Sequence, residues 1–474
     1  MTGDICSRQA QRAKYMVTDF VLTGLAFVLF NVFRYNMLFG YYIRSMSVWT
    51  FLMESKIIWE QLLFPPLMML IYGISGFYNQ PFQKSRLGIV SNTMAVSIVG
   101  SSLVLLLLLL NDAAAKHIYY ILVLTLTFLL FACLCMGRSF INGGFLKKLR
   151  DQKVVYTTVI IGDSKAAVRM AAQLDDSVDM ATNRVLGFVH LPGEVGCVKG
   201  RQVWSLDETG DIIGNLKPDQ IVIATESKDD RKVMWILDRL ITYDIPIKIA
   251  PDTLSYITAN IRMGDIMGTP LVDLSSPRLS DFGLNVKRCG DVLISALALL
   301  LLSPVYLALA IAVKRSSPGP VIYKQERIGK HQKKFKIYKF RSMYQDAEAN
   351  GPQLSSEHDR RITRVGEVMR KYRLDELPQF WNVLRGDMSL VGPRPEREYY
   401  IRKIMDRAPY YGLVFQVRPG ITSWGMVKFG YASSIDEMVE RSRYDLIYLN
   451  NMSILTDLKI LAYTVRTVVT GEGK

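Results

Sequence analysis

The chain runs to 474 residues, 50% of them hydrophobic and 21% charged, with a net charge of +15 and a mean hydropathy of +0.15. That excludes a disordered or fibrous protein, and at ~150 residues per domain it predicts about three units. Residues 278–474 hold 32 Lys/Arg against 20 Asp/Glu, and so strong a basic bias beside apolar spans points to an anionic membrane surface or phosphate-bearing ligands. No nucleic-acid motif accompanies the charge, so no nucleic-acid partner is expected. The cysteines are Cys6, Cys133, Cys135, Cys197 and Cys289, an odd set without CxxC. This excludes a disulfide framework or a zinc site, and the soluble parts are expected in a reducing compartment.

Four apolar stretches fill the first third, approximately Val17–Phe33, Ile57–Tyr78, Ile89–Leu110 and Ile118–Met136. Each approaches the ~20 residues that cross a hydrocarbon core, so residues 1–145 are expected to form a four-span transmembrane bundle. The second stretch carries Glu60 and Pro65-Pro66, which predict a kink. No small-x-small site follows the first, so it reads as a span rather than a cleaved signal. Cations before the first span, between the second and third, and after the fourth predict cytoplasmic ends.

A fifth apolar segment, Val292–Val313, is flanked by Lys287 and Arg288 and then by ten Lys/Arg with one acid between Lys314 and Arg341. Both flanks favour the cytoplasm. Ser303-Pro304 lies mid-segment, and proline bends helices. Each arm then covers ~16 Å, about half a bilayer. The pattern predicts a re-entrant hairpin over 286–314, with a kinked spanning helix as the alternative.

After Arg150, "VVYTTVIIGDS", "RVLGFVH", "QIVIAT" and "IPIKIA" read as strands. They alternate with helices from Lys165 to Leu174 and across "DRKVMWILDRLITYD". Such alternation predicts a parallel α/β sheet. Residues 146–275 are therefore expected to form a Rossmann-like accessory domain for regulation or association. A dinucleotide fits poorly, because Gly162 stands alone where the fingerprint needs three glycines. A linker is expected around Gly268–Arg278.

The densest chemical signal is "RKYRLDELPQFWNVLRGDMSLVGPRPERE", residues 370–398. Leu377, Phe380, Trp381 and Leu384 are spaced as the core stripe of a helix, with Gly386 placed to end it and Asp375 at its start as an N-cap kept ionised by the helix dipole. Arg370, Lys371, Arg373, Arg394 and Arg397 crowd the same string. Five cations exceed what a cap requires and suit phosphates. An adjacent acid pair can divide its work: one carboxylate attacks phosphorus while the other holds Mg²⁺. "KKFKIYKFRSM" alternates as a strand with Ile337, Lys339 and Arg341 on one face. Trp424, in "VRPGITSWGM", is a candidate stacking platform for a base. Leu455, Leu458, Leu461, Val465 and Val468 form a helical stripe that either closes the core or lies in the membrane interface.

"YKQERIGKHQKKFKIYKFRSM", "RLDELPQFWNVLRGDMSLVGPRP" and "RPGIT", preceded by an apolar segment broken at Ser-Pro, resemble the bacterial polyprenyl-phosphate hexose-1-phosphate transferases. The resemblance covers roughly 280–474, and the full layout looks like the large members of that family. It implies that a UDP-hexose, with galactose foremost, donates hexose-1-phosphate to undecaprenyl phosphate and leaves UMP, as a first step of O-antigen or related polysaccharide synthesis at the bacterial inner membrane. By motif position it implies that Asp375 is the nucleophile and Glu376 the Mg²⁺ ligand. Arg370, Arg394, Lys339, Arg341 and Arg418 would bind phosphates, and Ser303-Pro304 would be the re-entrant break. After "RPGIT" many relatives continue "GWAQVNGR", whereas this chain has "SWGMVKFGY". The same reaction with glucose, or an inactive membrane-tethered regulator, is the alternative. Membrane lipids are expected partners, and a homodimer is the expected oligomer.

Overall fold

The computed structural model describes residues 8–39, 47–79, 86–104, 116–150, 156–175, 183–225, 230–243, 245–249, 272–273, 279–345, 347, 351, 353 and 359–470. Contacts divide the chain into two compact units. The first is residues 1–155 with short pieces at 177–182 and 266–268, and the second is the remainder.

The first unit is helical: α1 (Arg8–Phe39), α2 (Ser55–Ile74), α3 (Arg86–Val104) and α4 (Lys116–Arg150). Among the described residues, three helical stretches are long and apolar enough to cross a membrane: Arg12–Met37, Ser55–Ile74 and Tyr119–Gly144. Gly88–Val104 is apolar but shorter, and the expected end of that span, Leu105–Leu110, lies outside the described residues. Helix α2 runs unbroken through Pro65 and Pro66. Its Glu60 is buried against Arg34 at 2.8 Å, which explains how an acid sits in an apolar helix. A second buried pair, Asp19 and Arg138 at 2.7 Å, ties α1 to α4. Tyr78 donates to Asp19, and the Arg138 guanidinium lies over the Phe77 ring. Phe27, Phe64 and Leu130 belong to the surrounding core.

In the second unit, β1 (Tyr156–Ile161), β2 (Asn183–Val189), β3 (Val203–Trp204), β4 (Gln220–Ile223), β5 (Ile247–Ile249) and β6 (Val272–Asp273) form one sheet of order β3-β2-β1-β4-β5-β6. All pairs are parallel except β5–β6. Helices α5 (Lys165–Asp175), α6 (Thr209–Leu216) and α7 (Asp230–Leu240) accompany the strands. Val159 and Ile161 belong to one core cluster, while Ile160 joins another with Ala167 and Met170. Burial on both faces is why these strands read as continuous apolar runs. Of the expected linker only Val272 and Asp273 are described, and they form the antiparallel edge.

The chain continues into α8 (Asp281–Leu301) and α9 (Ser303–Ser316), bent by 63° at Leu302. Pro304 opens α9 instead of interrupting a helix, and Ser303 Oγ donates to the freed Leu300 carbonyl at 2.8 Å. Proline is tolerated there because a first-turn N–H has no intrahelical partner. The bend therefore falls between two helices, one residue before Ser303. There follow the antiparallel hairpin of β7 (Ile322–Ile328) and β8 (Lys334–Phe340), then α10 (Arg364–Lys371) and α11 (Gln379–Arg385). The parallel pair β9 (Ser389–Val391) and β10 (Gly420–Thr422) flanks α12 (Glu398–Arg407). Helices α13 (Ile435–Asn450) and α14 (Ile454–Thr470) complete the described chain.

The stripe of α11 is turned from its expected face, and that of α14 is resolved between its two expected faces. Helix α11 buries Gln379, Asn382 and Val383 while Trp381 is 56% exposed. Asn382 faces inward because its amide continues the backbone ladder of β8, accepting from Tyr338 N–H and donating to Lys336 C=O. On α14, Leu455, Leu458 and Val465 are exposed while Asp457 and Ile460 are buried. Asp457 is held by Lys287 Nζ at 2.6 Å and by the Tyr448 hydroxyl at 2.7 Å, so the polar partners choose the inner face.

Candidate active site

Helix α10 begins at Thr363, whose hydroxyl accepts from Gly366 N–H. Any side chain at 366 would strike the Ser342 carbonyl, so glycine lets α10 lie against the strand end. The helix stops at Arg373, a non-glycine residue held at φ 53°. The tight turn Leu374–Glu376 follows and buries both carboxylates. Asp375 is therefore inside a turn, and the cap residue of α11 is Pro378, without a side-chain cap bond. This corrects the expectation of an N-capping, dipole-stabilised Asp375. Burial dominates and raises its pKa; Lys339, Arg370 and Arg373 oppose that rise, whereas Glu376 adds to it. Glu376 differs. Burial pushes it up, yet Lys339, Arg394 and Arg373 together outweigh this and hold it well below the usual carboxylate range. One acid is thus firmly ionised and its neighbour is poised higher.

Lys339 donates to Glu376 Oε1 at 2.7 Å. Arg373 and Arg394 approach the two oxygens of the same carboxylate at 3.7 Å. Arg394 stands just beyond β9, where Gly392 and Gly420 let two backbones meet; a Cβ on Gly420 would lie 2.1 Å from the Gly392 nitrogen. Tyr431 lies beneath both Arg373 and Arg394, 5.7 and 5.6 Å from their guanidinium carbons.

Asp375 forms part of the wall of a cavity of about 390 Å³. Seven arginines and one lysine line it against two carboxylates, Asp375 and Glu396. Such an excess of guanidinium donors in a partly dry space selects anions with several oxygens.

The other predicted residues divide between this cavity and structural duties. Arg370 lines the cavity and donates to Ser342 Oγ at 3.0 Å. Arg341 also lines it, but its guanidinium is committed to the Pro318 and Ser317 carbonyls at 2.7 and 2.6 Å, just past the C-terminus of α9. Arg418 is not part of the lining. It donates to the Gly386 carbonyl at 2.9 Å, while Arg288 takes the Val383 and Leu384 carbonyls. The two cations thus hold the C-terminal end of α11. Trp424 packs edge-on against Tyr463 with Lys428 over its ring, outside the lining.

Sequence reasoning assigns no role to Tyr431, Arg327, Glu396 or Arg441, which line the cavity. Arg441 and Glu396 pair at 2.6 Å from segments 45 residues apart. Arg327 and Glu396 lie within the quoted motifs and Tyr431 in the stretch that departs from the family pattern, whereas Arg441 carried no signal.

The donor chemistry fits Mg²⁺, a hard cation that takes one or two carboxylates and completes its shell with water and substrate phosphates. Asp375 and Glu376 supply such oxygens beside a cation-lined space. Among the described residues no set of three or more acidic, His or Cys side chains is gathered for a protein-only cage.

Apolar helices of spanning length, a bent apolar helix pair and a cation-lined cavity around an acid pair define a membrane protein built to hold an anionic ligand. Residues 282–471 match the model of the bacterial sugar transferase family, and the chain belongs to that family. It is 39% identical over 272 residues to the UDP-N-acetylgalactosamine-undecaprenyl-phosphate N-acetylgalactosaminephosphotransferase of Aeromonas hydrophila, covering 57% of this chain and 63% of that protein. It is 32% identical over 337 residues to the UDP-glucose:undecaprenyl-phosphate glucose-1-phosphate transferase of Escherichia coli (strain K12), covering 70% of each. A Caulobacter vibrioides protein of the same name is 36% identical over 234 residues, which are 48% of this chain and 82% of that one.

Proposed function

We propose that the protein transfers hexose-1-phosphate from a UDP-hexose to undecaprenyl phosphate through a covalent intermediate on Asp375. The observation that carries this is the buried Asp375 on the wall of a cavity lined by eight cations, with Glu376 buried beside it in the same turn. An Asp375 carboxylate oxygen attacks the sugar-bearing phosphorus, the bond to the bridging oxygen breaks, and UMP leaves with the electron pair. A phosphate oxygen of the lipid then attacks the same phosphorus and displaces the Asp375 carboxylate. Arg370 and Arg394 hold phosphate oxygens in both steps. Lys339 neutralises Glu376 when the cavity is empty and turns toward phosphate when it is filled. Mg²⁺ held by Glu376 would screen the phosphate charge.

The bent pair α8–α9 is proposed to enter and leave by the cytoplasmic face of the inner membrane, with the exposed stripe of α14 against lipid. This reading keeps the transmembrane, Rossmann-like and catalytic parts as three domains, and a homodimer as the assembly. Galactose is the proposed sugar, on the motif resemblance; the relatives named above act, by their names, on glucose or N-acetylgalactosamine. UMP release is measured with UDP-galactose, UDP-glucose and their N-acetyl forms, each with undecaprenyl phosphate. Release with the lipid and one preferred sugar is expected. A wild-type protein that releases no UMP with any of the four overturns the proposal.

A further inference from the structure

At the middle of the six-stranded sheet the strand order reverses between β1 and β4. Open parallel sheets present a crevice beyond the carboxyl ends of the strands at such a point. Here three loops meet over it. The turn after β1 carries Gly162, Asp163 and Ser164, the segment after β2 carries His190 and Glu194, and β4 is followed by Thr225.

Gly162 has φ 120°, and a side chain on it would strike the Ala224 carbonyl at 2.3 Å and stand 3.5 Å from Glu194 Oε2. The bare backbone therefore brings the ends of β1 and β4 and the Glu194 carboxylate together. Each acid has one oxygen engaged and one left over. Asp163 Oδ2 pairs with His190 Nδ1 at 2.8 Å, and Glu194 Oε1 accepts from Thr225 Oγ1. Asp163 Oδ1, Glu194 Oε2 and Ser164 Oγ are buried with no hydrogen-bond partner among the described residues, and Asp163 and Ser164 are only 4% and 3% exposed. Buried polar atoms are ordinarily satisfied, so three orphans at one crevice call for an occupant.

The chemistry of the orphans selects its class. Two carboxylate oxygens require donors and one hydroxyl offers both functions. A phosphate or pyrophosphate is repelled by the two acids, consistent with the single glycine of this turn. A divalent cation is the competing occupant, and the test below separates it from a neutral ligand. We propose that Asp163, Ser164 and Glu194 form a binding site for a neutral, hydroxyl-rich molecule, a ribose or hexose ring, separate from the cavity around Asp375.

The test is hydrogen exchange on the full chain in lipid nanodiscs, followed at residues 160–168 and 190–198. Uridine, adenosine and galactose are the neutral probes, with inorganic pyrophosphate and MgCl₂ as ionic ones. At ten times its Kd, a bound neutral probe slows exchange in both segments by about tenfold. Ser164→Ala, which removes one hydroxyl, weakens that protection while leaving exchange without probe unchanged, and Glu194→Gln weakens it further. Asp375→Asn leaves the protection intact, which separates this site from the transferase cavity. No slowing by any neutral probe at millimolar concentration means that water alone fills the crevice and overturns the proposal. Slowing by pyrophosphate or MgCl₂ alone overturns it equally.

Discussion

Lys339 Nζ sits 2.7 Å from Glu376 Oε1, joining the second strand of the hairpin to the acid turn. The amide of Asn382 fixes that distance by stitching α11 to the backbone of the same strand. Lys339 thereby stands where an incoming phosphate must compete with Glu376 for it. Asp375, next along the turn, is left with the cavity before it.

The two acids should respond differently to loss of charge. Asp375→Asn keeps the shape of the turn and removes the nucleophile, so kcat should fall by ~10⁴-fold or more. Labelling of the protein by radioactive UDP-hexose in the absence of lipid should vanish. Glu376→Gln should retain labelling at a reduced rate and shift the Mg²⁺ titration of UMP release to higher concentration. A normally active Asp375→Asn protein rules out the covalent route.

Arg394 and Arg418 should separate function from stability. Arg418→Ala loses a cation at a helix C-terminus and should cost about 1 kcal/mol of stability or less, with turnover largely kept. Arg394→Ala removes a cavity guanidinium and should lower kcat/KM by ~10- to 10²-fold, the worth of a charge-assisted hydrogen bond made in the transition state. Thermal melting and UMP release on the same preparations check both.

Helix α7 meets the catalytic part through Asp238, which accepts from Gln332 at 3.0 Å. Burial pushes the Asp238 carboxyl up to about 6, against the lowering pull of Gln332. A raised acid favours the folded state below its unfolded pKa, and that advantage is lost as pH climbs through about 6. Asp238→Asn keeps a polar partner for Gln332 without the charge. It should raise stability at pH 7.5 by about 1 kcal/mol once partial solvation is allowed for, and bring almost no gain below the unfolded carboxyl pKa of 3.8. An equal effect at both pH values removes the electrostatic explanation.

The pair Asp19–Arg138 is fully buried between α1 and α4. Asp19→Asn or Arg138→Met alone should destabilise the helical unit by ~3–5 kcal/mol, because each strands a polar group or charge. The double variant should recover part of the loss. A double-mutant cycle on detergent unfolding midpoints measures the coupling, and strict additivity shows that the pair contributes nothing jointly.

Membrane disposition of α8–α9 is tested with single cysteines in a cysteine-free background. Lys287 is a poor site because it is buried against Asp457, so Phe282→Cys and Lys314→Cys are used, at exposed positions on either side of the bend. Both should react with a membrane-impermeant maleimide from the cytoplasmic face only. Labelling from opposite faces makes the pair a spanning helix. Pro304→Leu should move the result in that direction by favouring continuity across the break.

By itself the sequence determined the elements whose signal is local. Apolar length marked the membrane helices, continuous apolar runs marked β1 and β4, and "RLDELPQFWNVLRGD" marked the acid pair and the helix ending at Gly386, though not the turn that holds the acids. Tertiary structure decided everything that depends on a partner distant in the chain. Trp381 and Leu455 face outward because Asn382 and Asp457 are called inward by β8 and by Lys287, and helical spacing cannot rank a buried hydrogen bond above an apolar stripe. Arg341 and Arg418 look like phosphate ligands in one dimension, yet helix-end carbonyls brought near by folding engage them. Tyr431 and Arg441 enter the cavity wall from segments outside the quoted motifs, while Arg327 and Glu396 lie within those motifs without a spacing that singles them out. Asp375 itself is poised by burial, a property of the surrounding volume that no neighbouring residue in the chain encodes.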